Sequence, residues 1–281
     1  MAERKITVRN GCKEVLGISF DTPQTAVELS QIAQKSVGFI EADVGSGSSF
    51  LYKQIIDENA GTSRLFFFTN LHVIKMVLDY YGLFHNAHRQ GADLDKIPVG
   101  FNMKLNGSKI PLDKILVPKD FIFNNHPSHL DFAIFEIAQQ RIEPLEFFEI
   151  PETFDIKQGA KVFAFGYPLG LEMSTHDGII SHIYDDAQEK SAVADIGRKI
   201  KWDIQHNILI NHGSSGGPTV SDTGNLIGIS TRGLDVGINF SLNLKHILQW
   251  ASDPSNLEII SLDGIIKQMK SKAYEDSRFG G

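Results

Sequence analysis

INHGSSGGPTV, residues Ile210–Val220, decides how this chain is to be read. Ser215 stands among Gly213, Gly216 and Gly217, and Pro218 ends the turn. Acyl transfer needs a hydroxyl beside backbone N–H groups that converge on one point, where they stabilise the oxyanion of a tetrahedral intermediate. Glycines let the chain turn tightly and leave room for a substrate carbonyl. The N–H groups of Gly213 and Ser215 are the candidate oxyanion donors. A glycine-rich hairpin with an incidental serine has the same pattern, so the loop needs partners elsewhere. A serine hydroxyl is a poor nucleophile without an adjacent base, and that base needs an orienting group. His72 ends the apolar run RLFFFTNLHV, where a strand followed by a short helix would hold an imidazole at a cleft edge. Asp131 opens DFAIFEI, an alternating strand pattern, and could accept the imidazole Nδ1–H and fix its tautomer. His126 and His129, in the loop-like NNHPSHLD, are the rival bases.

Outward from these segments, the chain from Val37 consists of short apolar runs separated by Gly, Asn, Asp and Pro, such as SVGFIEA, VGFNMKL, KVFAFGYP and NLIGIST. Many short strands with regular turn signals predict a sandwich or barrels. Before them, Thr25 and Glu28 form a candidate capping box for a helix with Ala26, Leu29, Ile32 and Ala33 on its apolar face. A helical interruption is expected from about His72 to Leu83, a linker over Arg141–Pro151, and a closing helix over Phe240–Trp250. The stretch after Pro254 ends in an amphipathic segment, and Met1–Phe20 has no assignable pattern.

Composition excludes several classes. With 42% hydrophobic and 22% charged residues the chain is ordinary globular material, and no apolar run is long enough to span a bilayer. The net charge of -7 comes without a Lys/Arg block, so neither nucleic acid nor an anionic membrane is expected as a partner. Cys12 is the single cysteine, so no disulfide forms within these residues. A reducing compartment is favoured, and MAERKITVRNGCKEV lacks the apolar core of a signal peptide, so a cytoplasmic location is expected. No His/Cys/Asp/Glu cluster has ligand spacing, so no metal and no cofactor is expected.

Three segments match one family in order. TNLHV resembles the histidine motif of chymotrypsin-like serine proteases, DFAIFEI their aspartate strand, and GSSGGP their G-x-S-G-G-P. The texture is most similar to the HtrA (Deg) type, through Gly45-Ser46-Gly47, the FGYPLG segment Phe165–Gly170, Gly178–Ser181 and Gly224–Thr231. The resemblance covers about residues 34–250. It implies an all-β fold of two six-stranded antiparallel barrels, about 34–145 and 152–250, with peripheral helices and the triad His72, Asp131 and Ser215 in the cleft. Residues 1–33 would be an extension and 251–281 a partly helical tail, too short for a PDZ module. The digestive branch of the family carries an aspartate before the serine, paired with a freshly cut N-terminus. Ser214 stands there, so any gate must be a loop or a partner. Met76–Lys96 would be an insert beside His72, either a solvated helix with a loop or a gate that covers or shapes the cleft or docks a partner which does.

The implied activity is a serine endopeptidase working through an acyl-enzyme. Its peptide substrate would pair as an extended strand with Thr231, Arg232 and Gly233. Leu209 would floor the specificity pocket and Asn239 add polarity to it. Burying a substrate Lys or Arg without a carboxylate is costly, so a small or medium, mostly apolar residue is expected there. A serine esterase and a catalytically silent binding module are the alternatives. Ser-acid-His order, which the esterase fold requires, would leave only His246 as base, inside the expected closing helix. The sequence leaves the oligomeric state open.

Overall fold

A computed structural model describes residues 2–9, 11–120, 128–140, 142–184, 190–192 and 198–279. His126 lies outside them.

The first half is built from β1 (Ala2–Arg9), β2 (Cys12–Phe20), α1 (Ala26–Ser36), β3 (Val37–Ala42), β4 (Gly45–Asp57), β5 (Thr62–Thr69), α2 (Leu71–Lys75), α3 (Tyr80–Arg89), β6 (Phe101–Leu105), β7 (Ser108–Pro111), β8 (Lys114–Pro118) and β9 (Ala133–Gln139). The second half holds β10 (Lys161–Gly166), β11 (Ser174–Ile183), β12 (Lys190–Ala192), β13 (Arg198–Ile200), β14 (Asp203–His206), β15 (Pro218–Ser221), β16 (Leu226–Asp235), β17 (Ile238–Asn243) and α4 (Leu244–Ala251). The chain then returns to the first half with β18 (Leu257–Ser261) and α5 (Leu262–Phe279).

The second half closes as expected. Six strands pair in the cyclic order β10-β11-β14-β17-β16-β15. Alternation along β10 sends Val162 and Ala164 into one apolar cluster, with Ile180, Ile204 and Ile227, and Phe163 and Phe165 into another, with Ile229 and Leu242. The first half is instead a ten-stranded antiparallel sheet, β18-β8-β9-β5-β4-β3-β6-β7, with the β1–β2 hairpin attached to β4 through β2. Its core is completed by helices. Tyr80 and Phe84 of α3 and Leu262, Ile265 and Ala273 of α5 share one cluster with Phe67, Phe135 and the α2 residues Leu71, Val73 and Ile74. The cluster that holds Phe163 and Leu242 joins the halves, with Leu29 of α1, Phe50, Phe68 and Phe132 from one side and Phe163, Val220 and Leu242 from the other.

α1 starts at Thr25 with both bonds of the capping box. Phe240–Asn243, expected to open the closing helix, is strand: β17 pairs with β14 and β16, and the helix begins only at Leu244, with the Asn243 side chain as its cap. The insert is not simply a solvated helix. Tyr80 and Phe84 are fully buried, the Tyr80 hydroxyl donates to the Gly100 carbonyl at 2.9 Å, and Tyr81 donates to Asp276 of α5 at 2.6 Å.

Candidate active site

β5 ends at Thr69, and Asn70 caps the short helix that carries His72. The Asn70 side chain does not bond its own helix; its Nδ2 donates to the Asp131 carbonyl at 2.8 Å. That bond ties the His72 turn to the residues before β9. The Asp131 carboxylate, in a residue only 6% exposed, then meets the helix twice. Its Oδ1 accepts the His72 backbone N–H at 2.8 Å, and its Oδ2 lies 2.7 Å from His72 Nδ1. A carboxylate only accepts, so Nδ1 carries the hydrogen, and in the neutral imidazole Nε2 keeps its lone pair.

Thr231, on β16 of the second barrel, touches both sides of the cleft. Its Oγ1 donates to Asp131 Oδ2 at 2.9 Å, and its carbonyl accepts the Ser215 hydroxyl at 3.2 Å. One residue thus joins the aspartate from the first half to the serine from the second. The sequence placed Thr231 in the substrate strand and missed this contact; a single hydroxyl sixteen positions after Ser215 carries no signal of it.

In the serine loop, the N–H of Ser214 donates to the Asn211 carbonyl at 3.0 Å, that of Gly216 to Ser230 at 2.8 Å and that of Gly217 to Ser214 at 3.1 Å. Among the described residues no acceptor takes the N–H of Gly213 or of Ser215. Gly213 has φ +90°, and a Cβ there would come within 2.3 Å of the Tyr167 carbonyl, so both conformation and contact demand glycine.

The expected substrate-binding residues divide. Gly233 and Asn239 are cross-strand partners, and a Cβ on Gly233 would lie 2.5 Å from Asn239 Oδ1. Asn239 is 1% exposed, and among the described residues its Nδ2 has no partner. The Arg232 side chain is held by the barrel: the guanidinium pairs with buried Asp203 at 2.8 Å and sits 5.0 Å over the Phe240 ring. Leu209 is 49% exposed, which is not the burial of a pocket floor; it follows β14, outside any strand or helix. His129 packs edge-on against Trp202, ring centroids 4.7 Å apart.

Burial shapes the surrounding electrostatics. Desolvation pushes Asp203 up to about 6, against the charge and hydrogen bond of Arg232. Burial brings His206 down to about 4; its Nε2 lies 2.9 Å from the Ser241 hydroxyl. Burial also lowers Lys75, while the Asp131 charge pulls it the other way. Among the described residues no group of three or more His, Cys, Asp or Glu is arranged to hold a metal ion.

Comparison with known proteins places this geometry. Residues 47–229 match the family profile of the trypsin-like peptidase domain. Protease Do-like 1, chloroplastic, of Arabidopsis thaliana is 39% identical over 124 residues, which cover 42% of this chain and 27% of that protein. The match therefore spans about a quarter of the relative's length. Among solved structures, Deg5 aligns with a TM-score of 0.52 at 22% identity, over 80% of this chain and 91% of that one. The HtrA-type protease AlgW, solved with a tripeptide, gives 0.53 at 21%, over 82% and 63%. At such identities the likeness is one of fold, the chymotrypsin-like double barrel. Since the family profile matches more than half of its length, reaching from β4 to β16, the chain belongs to the trypsin-like peptidase family.

Proposed function

We propose that this protein is a serine endopeptidase whose triad is His72, Asp131 and Ser215. The observation that carries the reading is the two-point grip of Asp131 on His72, 2.8 Å to the backbone N–H and 2.7 Å to Nδ1. It leaves Nε2 as a base. Ser215 Oγ attacks the substrate carbonyl carbon and passes its proton to Nε2, while Asp131 stabilises the imidazolium. The oxyanion takes the free N–H groups of Gly213 and Ser215. Collapse breaks the C–N bond, His72 protonates the leaving amine, and water, deprotonated by the same base, releases the acyl group.

An extended peptide would lie along Thr231–Gly233. β15 pairs with β16 only as far as Ile229, so among the described residues no strand covers Thr231–Gly233 on the side away from β17. This supports strand addition. The buried carboxylate nearby, Asp203, is already matched by Arg232, and Gly233 and Asn239 bring no charge, so cleavage after Lys or Arg is not expected. With one cysteine in the chain, a reducing compartment remains the proposed setting.

The test joins labelling to cleavage. A fluorophosphonate probe should modify Ser215, and proteomic mapping should find new N-termini made by the wild type and not by Ser215→Ala. A folded wild type that neither reacts with the probe nor makes new termini would leave a binding module as the reading.

A further inference from the structure

An oxyanion hole works only if its peptide planes stay fixed, because rotating one replaces a donor N–H with a carbonyl oxygen. With Ser214 at the position before the nucleophile, no ion pair holds this loop from inside. Four consecutive peptides, from His212 to Gly216, are nevertheless anchored. The His212 carbonyl accepts the Leu169 N–H at 2.6 Å, and the Ser214 carbonyl accepts the Gly217 N–H. These two planes carry the free N–H groups of Gly213 and Ser215. The planes between and after them end on one residue of the other half, Ser48 of β4. Its Oγ donates to the Gly213 carbonyl at 2.7 Å, and its N–H donates to the Ser215 carbonyl at 2.7 Å.

Ser48 is wholly buried, and all its polar groups are engaged. Besides the two loop carbonyls, its Oγ accepts the Tyr167 N–H at 3.0 Å, and its carbonyl accepts the Thr69 hydroxyl at 2.7 Å. The hydroxyl is therefore a bridge between the serine loop and the Tyr167–Gly170 turn. That turn is itself set: Leu169 has φ +57°, which a non-glycine residue adopts rarely, and this conformation delivers its N–H to His212.

We propose that Ser48 is a positioning residue for the oxyanion hole, its side chain fixing the Gly213–Ser214 peptide so that the neighbouring N–H groups face the cleft. The proposal rests on the reading of Gly213 and Ser215 as oxyanion donors. Ser48 touches no reacting atom and acts through the loop.

The experiment compares Ser48→Ala and Ser48→Cys with the wild type. Cysteine keeps most of the volume and forms only weak hydrogen bonds, so the pair separates bonding from packing. Both variants should lose about 10- to 100-fold in kcat on a peptide ester or amide, with KM within about threefold. Affinity for a peptide boronate, whose adduct puts an anionic oxygen in the hole, should fall by the same factor as kcat. A crystal structure of Ser48→Ala should show the Gly213 carbonyl turned from its present direction. If Ser48→Ala fails to fold, Ser48→Cys decides the matter. Unchanged kcat, a loss confined to KM, or an unmoved Gly213 carbonyl overturns the proposal. A wild type that never reacts at Ser215 would instead fault the protease reading, and the orientation of the Gly213 carbonyl would then decide the role of Ser48 alone.

Discussion

The two halves solve the problem of strand edges differently. The second closes six strands on one another and needs nothing else. The first borrows: β18 and α5 come from beyond the second barrel, and β2 adds an N-terminal strand beside β4. Their polar groups differ as well. The first half buries Asp131 against His72 but leaves Glu41 and Glu146 partly exposed, where Glu41 is lowered by hydrogen bonds to Lys104 and Lys109 and Glu146 chiefly by its bond to Lys35. The second buries Asp203, His206, Thr219, Ser230 and Ser241 between its strands. A closed barrel tolerates this because its hydroxyls bond one another: Thr219 Oγ1 lies 2.6 Å from Ser241 and 3.1 Å from Ser230.

If catalysis needs one contribution from each half, losing either should cost about the same. Ser215→Ala from the second half and His72→Ala from the first should each lower kcat/KM by about 10⁴- to 10⁶-fold, and the double variant should fall no further. Multiplying losses would show that the two do not act as one unit. The borrowed completion of the first half is probed by denaturant unfolding. Leu262→Ala, at a site with no exposure, should cost about 2–5 kcal/mol, whereas Ile259→Ala, at a residue 72% exposed on the neighbouring strand, should stay within about 0.5 kcal/mol. Similar costs at both sites would mean that α5 is not part of the first core.

The buried histidine sharpens the contrast in polar groups. His206 stays neutral in the fold down to about pH 4, while in the unfolded chain it protonates near 6.5. Between those values the unfolded state binds more protons, so the His206 contribution to stability is present above 6.5 and is lost as pH falls to 4. His206→Gln removes that dependence. Relative to the wild type, its stability should improve by about 3 kcal/mol on going from pH 7 to pH 4, and a pH-independent difference would refute the assignment. The smallest effect belongs to the bridge between the halves. Thr231→Val keeps the shape and the backbone carbonyl but frees one Asp131 lone pair, and kcat should fall about tenfold with KM steady. A change in KM alone would return Thr231 to substrate binding.

Much of this was legible in the chain. The capping box at Thr25, the strand texture and the segments carrying His72, Asp131 and Ser215 depend on local pattern, and the structure joins His72 to Asp131 directly and Asp131 to Ser215 through Thr231. What was not legible depends on partners far away in sequence. The strand character of the β1–β2 hairpin comes from pairing: β1 pairs with β2, and β2 in turn with β4. Leu242, Leu244 and Ile247 have helical spacing, yet pairing with Asp203–His206 makes a strand of the first part. Arg232 gave no sign of Asp203, and Ser48 looked like one serine among several in GSGSS.

The return of β18 to β8 sets an order of assembly. β8 is complete at Pro118, but its partner begins at Leu257, so on a ribosome the two are separated by about 140 residues and roughly 7–30 seconds of synthesis. Throughout that interval the core beneath α2, which carries His72, lacks Leu262, Ile265 and Ala273. The second barrel, contiguous from β10 to β17, has all its strands before then. The barrel around Ser215 can therefore close ahead of the core beneath His72, which stays incomplete until α5 has emerged.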